Sequence, residues 1–332
     1  MKSSMLASLF LLCCLAFGQT KESESQKSVD VDYLQVAAGT SIFVYDGTEK
    51  PCDPTKVGHR PQPIGSAFLV GIANENAKGG AFSGWLFIVT AEHVVHNRTD
   101  VLLRMNRKSD GSKACFPLHL ERSGASQNLF MPRDASTDLT IINVPTYPDV
   151  ASVVLPYSWV LDKVGLKRYD LKVGTGVFTV GYLLGYPGES RNYPVTKFGR
   201  ISVLTDEKWF LSERGFYEYA YIVELQNVPG LSGAPLYAYG QEMKMTPNLS
   251  FRVLPPLLVG IVKDVLLVQN QGTRSSYSQG LAAVEPGDKL KEMLKDIADT
   301  LRAKGEKPVL EFGEIQVPGA ERSYFPAASS PH

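Results

Sequence analysis

The sequence predicts an all-β protein built in two halves, and three observations carry that expectation. From about residue 33 to 285 the chain repeats short apolar runs rich in Val, Ile, Phe and Tyr, each bounded by Gly, Pro, Asn or Asp. No helical stretches alternate with those runs, as a βαβ chain would require. The Pro-rich passage from Pro145 to Pro156, with the polar Asp162 to Asp170 behind it, interrupts the series near its middle. About ten strands in such an arrangement suit two antiparallel barrels or sandwiches.

In chain order, Lys2, the apolar run Met5 to Phe17 and the small residues before Gln19 read as a secretory signal over 1–18. A lipid anchor on Cys14 is disfavoured by Cys13, which stands where a small residue belongs. Polar residues 19–32 read as a flexible leader. The N-terminal β-domain then spans 33–150, with runs at Ser41 to Tyr45, Gly65 to Ile72, Trp85 to Thr90, Val101 to Met105 and Leu139 to Val144. A crossover at 151–175 leads to the C-terminal β-domain, 176–285, with runs at Gly176 to Leu183, Gly199 to Leu204, Ala220 to Leu225, Pro235 to Tyr239 and Leu257 to Val262. One helix is expected over 286–305: Asp288 caps it, Leu290, Met293, Leu294, Ile297 and Leu301 share a face, and Gly305 ends it. Residues 306–332, without any period, are expected to be extended or disordered.

Composition narrows the function classes. Lys+Arg and Asp+Glu balance at 34 each in 332 residues, which gives no electrostatic case for nucleic acid or an anionic membrane surface. After the signal no apolar run is long enough to span a bilayer. A signal implies a secreted or periplasmic location, and the two remaining cysteines, Cys52 and Cys115, are then expected to pair. The alternative is two buried free thiols. The sequons at Asn97 and Asn248 matter only in a host that glycosylates.

The chemistry-bearing stretch is Asn227-Val-Pro-Gly-Leu-Ser-Gly-Ala-Pro-Leu-Tyr237. Gly230 and Gly233 permit a tight turn that presents the Ser232 hydroxyl and gathers the N–H groups of Gly230 and Ser232 at one point, where they would stabilise an oxyanion. A plain Gly/Pro turn is the competing reading. A serine nucleophile needs a base and an orienting acid. His93 follows a strongly apolar run in Thr90-Ala-Glu-His-Val, and Asp138 stands directly before another in Thr137-Asp-Leu-Thr-Ile-Ile. A carboxylate there is buried cheaply only beside a donor, and an imidazole N–H is one. Glu92 reads as a solvated neighbour. His93 and His96 do not form a convincing metal pair, since no third ligand stands at helical spacing.

These three segments, in the order His, Asp, Ser, resemble the signature segments of the trypsin-like (chymotrypsin-fold) serine peptidases. The resemblance extends to Gly185-Tyr-Pro187, Thr196 to Ser202, Leu258 to Val262 and Gly280 to Val284, so it covers roughly 38–304. It implies two antiparallel β-barrels with the site in the cleft between them and a C-terminal helix. It also implies peptide hydrolysis through an acyl-enzyme, with Ser232 as nucleophile, His93 as base and then acid, Asp138 as orienting acid, and Gly230 and Ser232 N–H groups as oxyanion hole. Neither metal nor organic cofactor is required, and the expected partner is a protein or peptide substrate of a monomer. Chain order excludes the α/β-hydrolase and subtilisin arrangements.

Two departures limit what carries over. Leu231 replaces the aspartate that pairs with a newly cut N-terminus in digestive members, so activity without a second cleavage is expected. Gln226 aligns with the base of the primary specificity pocket, and a neutral amide there disfavours strict Arg/Lys preference. By the same resemblance Val262, Lys263, Asp264 and Gly280 would line that pocket, with Lys263 as a charge on its rim. A protein that keeps the barrels as a silent binding scaffold is the alternative function.

Overall fold

The computed structural model describes residues 37–53, 61–75, 84–147, 149–151, 153–212, 215–225, 229–244, 250–269 and 276–310. The expected signal and leader lie outside these residues, as do Gln226, Asn248 and the tail from 311 on. The first half carries β1 (Ile42–Asp46), β2 (Gly65–Asn74), β3 (Gly84–Thr90), the short helix α1 (Glu92–Val95), β4 (Asp100–Asn106), β5 (Lys113–His119), β6 (Leu129–Phe130) and β7 (Thr140–Val144). They form one curled antiparallel sheet in the order β5-β4-β1-β2-β3-β7-β6. Among the described residues that sheet is not hydrogen-bonded into a ring. β5 has no counterpart among the expected runs, because Pro117 and two charged or polar ends hide its period.

The second half is a closed barrel. β9 (Gly176–Gly181), β10 (Val195–Val203), β13 (Tyr221–Glu224), β14 (Pro235–Lys244), β15 (Ser250–Gln269) and β16 (Ser276–Pro286) pair round in the order β10-β13-β16-β15-β14-β9. A separate hairpin, β11 (Phe210–Leu211) with β12 (Tyr217–Glu218), sits between β10 and β13. The result is the two-barrel chymotrypsin arrangement, with an incomplete first barrel.

The connection is not bare chain. β8 (Val154–Pro156) runs parallel to β2, and a 3-10 turn (Tyr157–Trp159) leads to the helix α2 (Lys163–Arg168), capped by the Asp162 carboxylate accepting from Gly165 N at 2.7 Å.

The core explains why β2 and β3 read as unbroken apolar runs. Ala67, Leu69, Leu86 and Ile88 point into the first barrel, whereas Phe68, Val70, Phe87 and Val89 point out of it into a second cluster. That second cluster also takes Phe178, Val180, Tyr237, Leu258 and Ile261 of the second barrel and Leu290, Leu294, Ile297 and Ala298 of the helix α3 (Gly287–Ala303). A third cluster fills the closed barrel. Strands buried on both faces lose the alternation of a half-exposed sheet.

α3 is not capped by Asp288. β16 runs straight into Pro286, which is the N-cap at φ −60°, so Asp288 lies inside the first turn and does not cap it. A carboxylate there still faces the positive helix end. Gly305 terminates the helix at φ +84°, with its N–H on Arg302 O at 2.9 Å. Two residues of the expected tail form β17 (Pro308–Val309), added to the end of β2. Main-chain pairing of that kind leaves no side-chain period to read. No helix among the described residues is long and apolar enough to cross a membrane, and Cys52 is disulfide-bonded to Cys115.

Arg104 on β4, only 2% exposed, ties the halves together. Its guanidinium donates to Tyr45 Oη at 3.0 Å and to the carbonyls of Pro187, Gly188, Glu189 and Arg191 at 2.8–3.3 Å. Asn106 and Asn192 extend this seam, the Asn192 main-chain N–H donating to Asn106 Oδ1 at 2.7 Å and Asn106 Nδ2 to Asn192 O at 3.1 Å. Replacing Arg104 by Met should strand those carbonyls and cost about 3–5 kcal/mol of unfolding free energy in urea titration. Lys, lacking the planar fork, should recover only part. A loss below about 1 kcal/mol would show that the carbonyls do not depend on the guanidinium.

Candidate active site

β3 ends at Thr90 and the chain turns through Ala91 into α1, which places His93 one turn from the end of a rigid strand. Asp138 arrives from the other side on the loop before β7. That loop is pinned by Asp134, whose carboxylate accepts from Ser136 N at 3.0 Å and Ser136 Oγ at 2.7 Å, and which pairs with Lys208 of the second barrel at 2.6 Å. β3 and β7 are hydrogen-bonded neighbours, with Thr90 opposite Thr140, so the two strand ends bring His93 and Asp138 together.

Asp138 Oδ2 lies 2.7 Å from His93 Nδ1, and Asp138 Oδ1 accepts the His93 main-chain N–H at 3.0 Å. Both carboxylate oxygens are thus used to hold one residue. The Asp138 side chain is 3% exposed and the His93 ring 36%. A buried carboxylate beside Nδ1 selects the tautomer with its proton on Nδ1 and leaves Nε2 as the basic nitrogen.

The Ser232 turn comes from the second barrel and packs against the corner that starts α1. Gly230 and Gly233 have φ of +103° and +85°. A Cβ on Gly233 would stand 2.1 Å from Ser66 O and 2.3 Å from Thr90 Oγ1, and one on Gly230 would stand 2.5 Å from the Tyr182 ring. Only glycine fits at either place. Leu231 is fully buried in the apolar core of the second barrel. Ser232 Oγ donates to the Lys263 carbonyl at 3.3 Å.

Ser66 is a site residue that sequence reasoning missed. Its N–H donates to Ser232 O and its hydroxyl to Gly230 O, both at 2.8 Å, while the same Oγ accepts from Tyr182 N at 2.8 Å. One β2 side chain therefore fixes the serine turn and the β9 end together. A lone serine in an otherwise apolar run was the signal available.

The expected pocket residues divide. Gly280 and Asp264 are each half-buried, and among the described residues a Cβ at Gly280 would meet nothing within 4 Å. Val262 is fully buried inside the closed barrel and cannot line a pocket. Lys263 is not a rim charge either: its side chain is 0% exposed and its ammonium donates to Glu218 Oε2 at 2.8 Å, Tyr219 O at 2.9 Å and Glu285 Oε2 at 2.9 Å. The reason is a bulge in β15. Val262 pairs with Val284 and Asp264 with Ala283, which leaves Lys263 as the extra residue and turns its side chain inward. Glu92 is also not a solvated neighbour; it is 8% exposed and its Oε1 lies 2.6 Å from His96 Nδ1. Among the described residues no group of three His, Cys, Asp or Glu is placed to hold a metal.

The interior charges set each other's protonation. Burial pushes Lys263 down, but Glu285 and Glu218 more than reverse this, so the ammonium is held above the ordinary lysine range. Complete burial, with the Asp138 charge adding to it, pushes Glu285 up to about 7 against the pull of Lys263. Burial is the dominant cause, and it makes Glu285 a carboxyl that holds its proton into the neutral range.

No protein-family model matches the sequence, and no curated protein matches it. Among solved structures the chain is similar to the MamO protease domain of Magnetospirillum magneticum, at 13% identity over 78% of this chain and 97% of that one, with a TM-score of 0.45. It is similar to the HtrA-type protease AlgW, determined with a decapeptide, at 16% identity over 80% and 67% of the two chains and a TM-score of 0.46. The Rv3671c protease in an inactive form gives 14% identity, 81% and 94% coverage and a TM-score of 0.43. The fold assignment stands on the strand order and barrel closure described above.

Gly233→Ala should destabilise by about 3 kcal/mol or more and remove any activity, since a backbone clash adds to left-handed strain; a thermally unchanged variant would contradict the turn geometry. For Glu285 the sign follows from proton binding. The folded chain keeps that proton up to about 7 while an ordinary glutamate releases it near 4.5, so folded protein binds more protons in between and stability falls as pH rises through that window. Glu285→Gln lacks the proton, so the wild-type Tm should decline relative to the variant from pH 4.5 to 7. A constant Tm difference would contradict a protonated Glu285.

Proposed function

We propose that the protein is a secreted or periplasmic serine endopeptidase. The observation that carries this is the His93–Asp138 pair at 2.7 Å on one barrel, with a glycine-bounded serine from the other barrel packed against the same corner. In this reading Ser232 Oγ attacks the scissile carbonyl carbon while its proton passes to His93 Nε2. The carbonyl oxygen becomes an oxyanion received by the Gly230 and Ser232 N–H groups. Asp138 stabilises the imidazolium, which then protonates the leaving amine as the C–N bond breaks. Water, deprotonated by His93, hydrolyses the acyl-enzyme and returns the proton to Ser232.

Leu231 supports activity without a second cleavage. Its buried isobutyl group occupies the place from which a carboxylate would pair with a new N-terminus, so that switch has no charge to operate on. With Lys263 paired to Glu218 and Glu285 inside the barrel, that residue offers no cation to select acidic side chains.

The scaffold alternative has one contact in its favour, the Ser232 hydroxyl donating to the Lys263 carbonyl. Treatment of the signal-free chain with a fluorophosphonate should label Ser232, and Ser232→Ala and His93→Ala should abolish labelling. Asp138→Asn should fold and lose about 10⁴-fold in kcat. A folded wild-type chain that takes no label would leave the scaffold reading.

A further inference from the structure

Behind the His93–Asp138 pair lie three charges that peptide hydrolysis does not itself require. Glu285, at the end of β16, is fully buried, and its Oε2 accepts both from Lys263 Nζ at 2.9 Å and from the Asp138 main-chain N–H at 3.1 Å. Glu218 closes the cluster on the far side, taking Lys263 Nζ on Oε2 at 2.8 Å and the Ser212 hydroxyl on Oε1 at 2.6 Å. The Lys263 main chain, re-aimed by the bulge, accepts the Ser232 hydroxyl. One continuous path therefore runs from Asp138 through Glu285 and Lys263 to Ser232.

We infer that Glu285 is a positioning residue of the Ser232–His93–Asp138 site, held in place by Lys263; this rests on the hydrolase reading of that site. Asp138 sits on a loop of the first barrel and Ser232 on a turn of the second, and Glu285 supplies an interior link between them that does not pass through Ser66. Its carboxylate orients the Asp138 backbone, and so the carboxylate that holds His93. Placed alone beside Asp138, Glu285 would repel it, and Lys263 supplies the compensating charge. Buried charge clusters of this kind contribute little net stability compared with apolar packing of the same volume, and their best-attested use is to specify position. The charged and titratable groups facing Glu285 are Lys263 on β15, Asp138 ahead of β7 and, at longer range, Tyr221 on β13.

The test uses the signal-free chain and the variants Glu285→Ala and Glu285→Gln, with two readouts. The first is the fluorophosphonate labelling rate of Ser232 as a function of reagent concentration and pH, and the second is the titration of the His93 ring by ¹⁵N NMR. Glu285→Ala should lower the saturating labelling rate about 10- to 100-fold, with the half-saturating concentration unchanged, as expected for a misplaced acid. Glu285→Gln keeps an oxygen to accept the Asp138 N–H and should recover most of that rate. In Glu285→Ala the displaced Asp138 carboxylate should move the His93 titration to lower pH, whereas Glu285→Gln, which replaces a protonated carboxyl by a neutral amide, should leave it near the wild-type position. A folded Glu285→Ala that labels at the wild-type rate with an unmoved His93 titration overturns the inference. Failure of both variants to fold also overturns it, by making Glu285 a folding requirement. If wild type itself takes no label, the hydrolase reading fails, and the His93 titration alone decides: a shift supports positioning and its absence overturns it.

Discussion

The Ser66 hydroxyl, donating to Gly230 O and accepting from Tyr182 N, crosses the seam between the two barrels, and the candidate site exists only while that seam holds. His93 and Asp138 belong to neighbouring strand ends of one sheet, so their mutual geometry is a matter of local pairing. Ser232 belongs to a different barrel, and nothing local sets its distance from them. The molecule answers this with three kinds of contact. Ser66 stitches the backbone of the serine turn to β2, the shared apolar cluster buries the outer faces of β2, β3 and β7 against the closed barrel and α3, and Arg104 with the Asn106–Asn192 pair clamps the 187–192 segment on the first barrel.

These contacts differ in what they do. Apolar burial is non-directional and supplies most of the free energy that holds the halves together. It does not fix the serine turn to within a fraction of an ångström. Hydrogen bonds contribute less net stability but are directional, and a partner misplaced by an ångström is a bond lost. The division is visible in the residues: Phe68, Phe178 and Leu290 carry area, while Ser66, Arg104 and Glu285 carry direction.

The interior around Asp138 illustrates how a costly feature is made tolerable. Four ionisable groups, Asp138, Glu218, Lys263 and Glu285, lie at no more than 2% exposure. Every ammonium donor of Lys263 has an acceptor within 2.9 Å, and each carboxylate receives at least one donor. Burial raises the affinity of Glu285 for a proton, which lowers the charge the cluster has to carry. Satisfied in this way, the cluster forms a rigid polar floor beneath the His93–Asp138 pair.

Much of this was legible in the chain. Apolar runs bounded by turn residues marked most of the long strands, the stripe of Leu290, Leu294 and Ile297 marked α3, and the ordered motifs around His93, Asp138 and Ser232 pointed to one chemistry, because strand periodicity and turn glycines are local properties that sequence records directly. β5, β16 and β17 were less legible, since proline, mixed polarity and bare main-chain pairing leave no period. Lys263 and Val262, assigned to a pocket by resemblance, and Glu92, read as solvated, are buried instead, because a bulge and the facing elements decide which way each points. Ser66, Glu218 and Glu285 were invisible as site residues because their partners lie 45 to 164 residues away along the chain. The sequence by itself determined the strands, the turn at Ser232 and the set of reactive groups, all of which depend on neighbouring residues. Only the tertiary structure decided which buried charges meet and what holds the two halves of the site in register, since those depend on the packing of strands that the chain does not place side by side.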